Sequence, residues 1–142
     1  MKIALIGYGK MGHMIESIAL ERGHEIVARI DAGDAFDLKG ADVAIEFTTP
    51  ATAKDNILRA WAQNVPVVCG STGWKPEELK IKNYELKIKD NKTVISDETG
   101  KVMLVWSSNF SVGVNIFFDL NKILAEKMAQ QPQYTPSITE TH

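Results

Sequence analysis

The residues best suited to chemistry form a glycine-rich loop near the amino terminus. It follows the short apolar run Lys2–Ile6, precedes a segment of helical periodicity, and consists of Gly7, Tyr8, Gly9, Lys10, Met11 and Gly12. A strand, a G-x-G-x-x-G loop and a helix in this order are typical of the phosphate-binding start of a dinucleotide fold. Gly7 permits the tight turn, Gly9 lets the backbone approach a pyrophosphate, and Gly12 lets the helix pack closely. The helix N-terminus offers N–H groups to the phosphates.

An acidic residue supports this interpretation, because the loop alone is also compatible with a glycine-rich turn in another α/β protein. Asp31 ends the second apolar run, Glu25–Ile30, about 20 residues after the glycines, where a carboxylate can bind ribose hydroxyls. The same carboxylate repels the 2′-phosphate of NADPH, although Arg29, on the same strand face, or Lys39 can soften the discrimination. We therefore expect a nicotinamide dinucleotide, with NADH favoured and NADPH tolerated.

Composition excludes several other classes of protein. The chain has 142 residues, which suits one domain or one domain and part of another. A net charge of −2 provides no basic surface for nucleic acid. No apolar stretch is long enough for a membrane span, and no signal peptide precedes the first strand, so we expect a cytoplasmic protein without a membrane partner. The single cysteine, Cys69, lies in an apolar run and is expected to be a buried residue. No metal ligands are assigned.

Strand-like and helix-like segments alternate along the chain. Strands are predicted at residues 2–6, 25–30, 42–47, 66–69 and 102–106. One helix is predicted to follow the glycine loop and to end near Arg22, and another to begin at Pro50, with Thr49 as N-cap. The link at residues 32–40 has room only for a loop or a single turn. Residues 76–91 are charged and loosely periodic and are predicted to be helical, and a longer amphipathic helix is predicted from about Val114 to Ala129. This order predicts an α/β fold with a doubly wound, mostly parallel, Rossmann-type sheet.

Four of the predicted strands end in small or hydroxylated residues. In a doubly wound sheet the ligand binds beyond the carboxyl ends of the strands, so we expect these ends to form one polar rim along a cofactor. The segments are Gly7–Gly12, Phe47-Thr48-Thr49, Gly70–Gly73 and Ser107–Phe110. Helix capping is an equally good explanation for Thr48 and Thr49, and capping can also account for Asn109.

These motifs, in this order, resemble one enzyme family. Glu46-Phe47-Thr48-Thr49-Pro50, Gly70-Ser71-Thr72-Gly73-Trp74 and, most specifically, the run from Ser108 to Asn115 are similar to segments of 4-hydroxy-tetrahydrodipicolinate reductase (dihydrodipicolinate reductase). The resemblance implies that Ser107, Ser108, Asn109 and Phe110 hold the nicotinamide end of the cofactor. It implies that Gly70, Ser71 and Thr72 lie against its middle.

The resemblance also implies a domain division and a reaction. Residues 1–109 would form the dinucleotide-binding domain, and residues 110–142 the first helix and strand, Tyr134 to Glu140, of an α+β substrate domain. The family reduces a small dicarboxylate with NAD(P)H in diaminopimelate and lysine biosynthesis, and its members form homotetramers. His142 matches the family's general acid, a role that suits an imidazole. The family's second histidine, lysine and Ser-Gly-Thr loop have no counterpart here, so we expect a truncated chain that supplies the cofactor half and lacks catalysis alone.

Two other functions are compatible with part of this pattern. A non-catalytic dinucleotide-binding module, such as a redox-responsive regulator, shares the glycine loop and Asp31 but gives no reason for the segment at residues 109–115 or for Glu140-Thr141-His142. A different small dehydrogenase is disfavoured by the motifs around Gly70 and Asn109.

Overall fold

Seven strands and two α-helices make up the part of the chain that the structure, a computed structural model, describes: residues 1–89 and 92–108. The strands are β1 (Lys2–Ile6), β2 (Glu25–Ile30), β3 (Val43–Glu46), β4 (Val67–Cys69), β5 (Glu85–Lys89), β6 (Lys92–Ser96) and β7 (Val102–Trp106). The helices are α1 (Lys10–Glu21) and α2 (Pro50–Ala62), with a short 3-10 helix at Pro76–Leu79. The predicted strands β1, β2 and β7 have the predicted bounds, and β3, β4 and α1 differ from prediction by a residue at their ends.

All seven strands belong to one sheet, in the order β2-β1-β3-β4-β7-β6-β5. The first five are parallel, whereas β6 is antiparallel to β7 and β5 is antiparallel to β6. Helices cover both faces of a parallel sheet, which is why β3 and β4 are buried along their whole length and are apolar except for Glu46. The predicted α/β, mostly parallel, Rossmann-type fold is confirmed.

The two helices lie on opposite faces of the sheet, as the alternation of side chains requires. Ile3 and Leu5 of β1 pack in the same cluster as Ile15 of α1, whereas Ala4 and Ile6 pack in the cluster that contains Ile57 of α2. Successive residues of a strand point to opposite faces, so one strand contributes to both cores. The sheet is thereby fixed between α1 and α2, and its strand ends are fixed with it.

The helix predicted for residues 76–91 is wrong. Among residues 76–89, only Pro76–Leu79 is helical, as a 3-10 helix capped by Lys80 with a φ of 46°, and the chain then enters β5 and β6. In β5, Leu86 and Ile88 alternate with charged residues, which is the period of a strand rather than of a helix. The antiparallel pairing of β6 with β7 decides the outcome, because it buries Ile95 against the α2 side of the sheet.

The connection between β2 and β3 contains no helix, as predicted from its length. It covers the sheet with Leu38, which is fully buried and whose backbone N–H donates to Gln63 Oε1 at 3.0 Å. Within residues 1–89 and 92–108, neither α-helix is long and apolar enough to cross a membrane. The predicted helix at Val114–Ala129, the predicted strand from Tyr134 and the domain division after residue 109 lie outside the described residues.

Candidate functional site

The glycine loop has the geometry that its spacing predicts. Gly7 has a φ of +92°, and a Cβ built there would lie 2.0 Å from the Phe47 carbonyl oxygen. A Cβ on Gly12 would lie 2.6 Å from the Gly7 carbonyl oxygen, so only glycine allows α1 to start this close to β1. A Cβ on Gly9, the N-cap of α1, would meet nothing within 4 Å. Gly9 therefore faces open space at the amino end of a 12-residue helix.

The predicted loops meet at one rim of the sheet. At each junction, a backbone N–H donates to a carbonyl at the end of the neighbouring strand: Gly7 to Ile30 at 2.8 Å, Phe47 to Ile6 at 2.9 Å, Gly70 to Glu46 at 3.0 Å and Ser107 to Cys69 at 3.3 Å. Asp31 follows β2 at the same edge, where its side chain is exposed and its N–H donates to Asp34 Oδ2 at 2.8 Å. The structure thus brings the predicted site residues up to Ser108 to the same edge.

The segment after β3 serves as a helix cap, as expected from Thr49-Pro50. Thr49 is the N-cap of α2, and its N–H lies 3.4 Å from Thr52 Oγ1, while the two hydroxyl oxygens are 2.9 Å apart. Thr49 is exposed at the rim and Thr48 is half-buried behind it. The capping role is confirmed and leaves the outer side of Thr49 accessible to a ligand.

A buried carboxylate lies directly beneath these loops, and the sequence analysis assigned it no role. Glu46, at the end of β3, is 0% exposed. Its Oε2 accepts from the hydroxyl of Ser71 at 2.7 Å and from the thiol of Cys69 at 2.9 Å. Its Oε1 accepts from the hydroxyl of Thr48 and, at 3.4 Å, from Asn56 Nδ2. The sequence feature that could have revealed it is a single charged residue in an otherwise apolar strand, with two threonines shortly after it.

The loop after β4 is held from its other side by two tryptophans. The indole N–H groups of Trp74 and Trp106 both donate to the carbonyl of Ser71, at 2.9 and 3.0 Å, and the two rings contact edge to face. Both tryptophans therefore act as packing residues that hold the loop in place. A Cβ on Gly70 would lie 2.1 Å from the Phe47 ring, so this loop also packs closely on the loop after β3.

A second polar cluster lies beside the glycine loop and was also missed. Glu16 of α1 accepts from the hydroxyl of Tyr8 and from Arg29, whose Nε lies 2.6 Å from Glu16 Oε1. The Arg29 guanidinium holds the pKa of Glu16 below its usual range, and the hydrogen bond to Glu16 raises the pKa of Tyr8. The Arg29 guanidinium also lies 5.9 Å from the centre of the Tyr8 ring. Arg29 is therefore directed toward α1.

Three of the predicted site residues, Asn109, Phe110 and His142, lie outside the described residues. The remaining ones lie along one edge of the parallel sheet, where they provide glycines, hydroxyls and the exposed carboxylate of Asp31. This sheet order, loop and helix N-terminus define a Rossmann-type dinucleotide-binding domain.

Comparison with known proteins gives the family. The family described as "Dihydrodipicolinate reductase, N-terminus" matches residues 1–110 of this chain. The chain therefore belongs to the dihydrodipicolinate reductase family.

Individual relatives carry a consistent name. A protein of Christiangramia forsetii named 4-hydroxy-tetrahydrodipicolinate reductase is 39% identical over the whole of this chain, which covers 56% of that relative. Proteins of the same name from Methanoculleus marisnigri and Staphylococcus aureus strain Newman are 36% and 33% identical, over 81% and 100% of this chain. The chain spans 39% of the length of the former and 56% of the latter.

The Cys69 thiol should be inert in the folded protein. Burial and the nearby Glu46 carboxylate raise the pKa of this thiol well above its usual value, so the reactive thiolate is scarce. We expect a chromogenic disulfide reagent, applied near the ordinary thiol pKa of about 8.5, to react with Cys69 only after the protein is unfolded in denaturant. The Cys69→Ser variant supplies the blank, and rapid stoichiometric reaction of the native protein would contradict the prediction.

Proposed function

We propose that this chain is the cofactor-binding part of a 4-hydroxy-tetrahydrodipicolinate reductase, which reduces a small dicarboxylate with NAD(P)H in the diaminopimelate route to lysine. Membership of the dihydrodipicolinate reductase family supports the proposal, and so do the names of its relatives. The chain spans 56% of the length of the Christiangramia forsetii relative. The groups that bind the substrate and the homotetramer are therefore proposed for the complete enzyme. Family membership favours it over a redox-responsive regulator.

One observation carries the cofactor half of the proposal. The space above Gly9 is open, at the amino end of α1, whereas Gly7 and Gly12 on either side are closed by backbone contacts. A pyrophosphate approaching there would meet the unpaired N–H groups and partial positive charge of a helix N-terminus. Asp31, exposed at the end of the adjacent strand β2, is then available to the adenosine ribose.

The remaining contacts follow from the order of the strand ends along the rim. Going from β1 to β3, β4 and β7, the cofactor would pass Tyr8, Lys10 and Met11, then Phe47 to Thr49, then Gly70 to Thr72, and would end near Ser107 and Ser108. We assign the nicotinamide end to Ser107, Ser108, Asn109 and Phe110. A dinucleotide-binding domain of residues 1–109, followed by the start of a substrate domain, stays a prediction.

The chemistry divides between this rim and the substrate domain. A dinucleotide bound at this rim would supply a hydride to the unsaturated ring of the dicarboxylate, after or with the loss of water from the 4-hydroxy substrate. The loops after β4 and β7 would hold the nicotinamide ring so that one face is open to the substrate. His142 would supply the proton as general acid, since the pKa of an imidazole lies near neutral pH.

The cluster at Glu16 bears on the choice between NADH and NADPH. Arg29 is the basic residue two positions before Asp31, and Glu16 already binds its guanidinium. A guanidinium engaged with a carboxylate is less available to a 2′-phosphate, and Asp31 disfavours that phosphate directly. This arrangement supports NADH as the favoured cofactor and NADPH as a tolerated one.

The cofactor half can be tested with the purified chain. We expect micromolar NADH binding, followed by quenching of tryptophan fluorescence, to weaken by about tenfold or more in Gly9→Ala and in Asp31→Ala. Gly9→Ala should leave the melting temperature nearly unchanged, because its Cβ has no close neighbour in the folded protein. Ser17→Ala, on the exposed side of α1, is the matched control. Full affinity of Gly9→Ala would rule out a pyrophosphate at this position.

The cofactor preference can be tested by releasing Arg29. In Glu16→Gln the carboxylate partner is removed, so we expect the ratio of NADPH to NADH affinity to rise by roughly tenfold. Glu21→Gln removes one charge from the exposed end of the same helix and serves as the control. An unchanged ratio in Glu16→Gln, with NADH binding intact, would show that Glu16 does not restrain Arg29 from the cofactor.

The proposal predicts that this chain binds NADH without reducing the substrate. We expect residues 1–142 to bind NADH but not to oxidise it when enzymatically generated 4-hydroxy-tetrahydrodipicolinate is added, because they span only 56% of the length of the Christiangramia forsetii relative. Loss of NADH absorbance measures turnover, with a complete reductase as the positive control. Turnover above the rate without protein would show that residues 1–142 contain a sufficient catalytic site.

A further inference from the structure

We propose that Glu46 is the positioning residue of the cofactor site: its buried carboxylate joins the loop after β3 to the loop after β4 and fixes the direction of their hydroxyl hydrogen bonds. The inference rests on the proposed dinucleotide function. It goes beyond it, since Glu46 itself lies beneath the rim and is 0% exposed.

The surroundings of Glu46 are those of an acceptor. A deprotonated carboxylate has about four acceptor positions and no donor. Four donors approach it among the described residues: the hydroxyls of Thr48 and Ser71, the thiol of Cys69 and the amide of Asn56. Burial of a carboxylate is costly unless its oxygens are satisfied, so this set of donors is required once a glutamate is buried at this position.

These donors come from both loops of the rim. Thr48 lies in the loop after β3 and Ser71 in the loop after β4, and each binds a different oxygen of Glu46. The two loops also bind each other, because the Thr48 backbone N–H donates to Ser71 Oγ at 2.8 Å. Since Ser71 gives its single proton to Glu46, its oxygen is free to accept this N–H. The carboxylate therefore determines how the two loops join.

The same reasoning fixes the direction of a chain of hydroxyls. The Thr48 proton goes to Glu46, so the 2.8 Å bond between Thr48 and Thr52 must be donated by Thr52. That bond is shorter than the 3.4 Å from the Thr52 hydroxyl to the Thr49 carbonyl, which is the alternative use of the Thr52 proton. The 2.9 Å bond between Thr49 and Thr52 must then be donated by Thr49.

The outermost of these hydroxyls, that of Thr49, consequently faces the rim as an acceptor. Thr49 is exposed, and its proton is directed inward, toward Thr52, so only oxygen lone pairs remain for a ligand. A phosphate, which offers only acceptors, does not match it. A ribose hydroxyl or a carboxamide N–H does. Glu46 thus adapts this part of the rim to the nicotinamide riboside portion of the cofactor and leaves the pyrophosphate to the glycine loop.

The experiment compares two ligands on one isosteric variant. In Glu46→Gln an amide N–H₂ replaces one acceptor oxygen and meets donors, so the loops and the hydroxyl chain must rearrange. We expect NADH affinity to fall by about tenfold or more. Affinity for ADP, which lacks the nicotinamide riboside, should change less than about twofold. The control is Val67→Ala, a fully buried change at the other end of β4 that lowers stability without touching the cluster.

A double-mutant cycle tests whether Glu46 acts through Ser71. The combined loss of NADH affinity in Glu46→Gln with Ser71→Ala should be smaller than the product of the two single losses, because both changes disrupt one junction. Multiplicative losses would overturn this coupling. Equal losses of NADH and ADP affinity, or a NADH loss in Val67→Ala matching that of Glu46→Gln, would reduce Glu46 to a structural residue and overturn the proposal.

A second pair of variants keeps the proposal testable if Glu46→Gln does not fold. If Glu46→Gln fails to fold, Thr48→Val and Thr48→Ser take its place: Thr48→Val should weaken NADH but not ADP, and Thr48→Ser, which retains the hydroxyl, should restore binding. NADH binding by Thr48→Val equal to wild type would overturn the proposal.

If the wild-type chain binds neither NADH nor ADP, the proposed function has failed, whereas normal wild-type binding with an unaffected Glu46→Gln overturns only the role of Glu46.

Discussion

The close contact between the ends of neighbouring strands is the constraint on which the site depends. Gly7 lies so near the Phe47 carbonyl that a Cβ would be 2.0 Å from its oxygen, and Gly70 lies equally close to the Phe47 ring. A side chain at Gly7 would displace the backbone of the loop after β3, whereas a side chain at Gly70 would displace the Phe47 ring. Because the strands themselves are held between α1 and α2, the clash at Gly7 is relieved only by moving the loop.

Glu46 and the glycines both allow the polar loops of the rim to lie close together, but by different means. The glycines remove atoms so that the loops approach, and Glu46 supplies acceptors so that the polar groups brought together are satisfied. A buried donor or acceptor left without a partner costs about 1–3 kcal/mol, which is a substantial part of the 5–15 kcal/mol by which a typical domain is stable. A carboxylate surrounded by four donors keeps a polar junction inside a parallel sheet at an acceptable cost and gives the junction a single arrangement.

The rim also separates two electrostatic tasks by position. Asp31 and Arg29, at the end of β2, carry opposite charges close to the expected adenosine ribose, and Glu16 binds the cation while Asp31 stays exposed. The loops after β3 and β4 expose glycines and hydroxyls but no charged side chain between Phe47 and Pro50 or between Gly70 and Trp74. A dinucleotide would therefore meet charge at its adenosine end and directional hydrogen bonds further along.

The sequence alone predicts the parallel strands, both α-helices and the rim, because each depends on a local pattern: the apolar run Lys2–Ile6, the helix start at Thr49-Pro50 and the glycine spacing in Gly7–Gly12. It also determined the family, through motifs that lie at those strand ends. The hairpin of β5 and β6 beside β7 could not be predicted from the sequence, because the structure of a short amphipathic segment depends on the strand with which it pairs. Only the fold could show that Glu46 contacts Ser71, 25 positions away, and that Arg29 binds Glu16, because each contact joins two different elements of the fold.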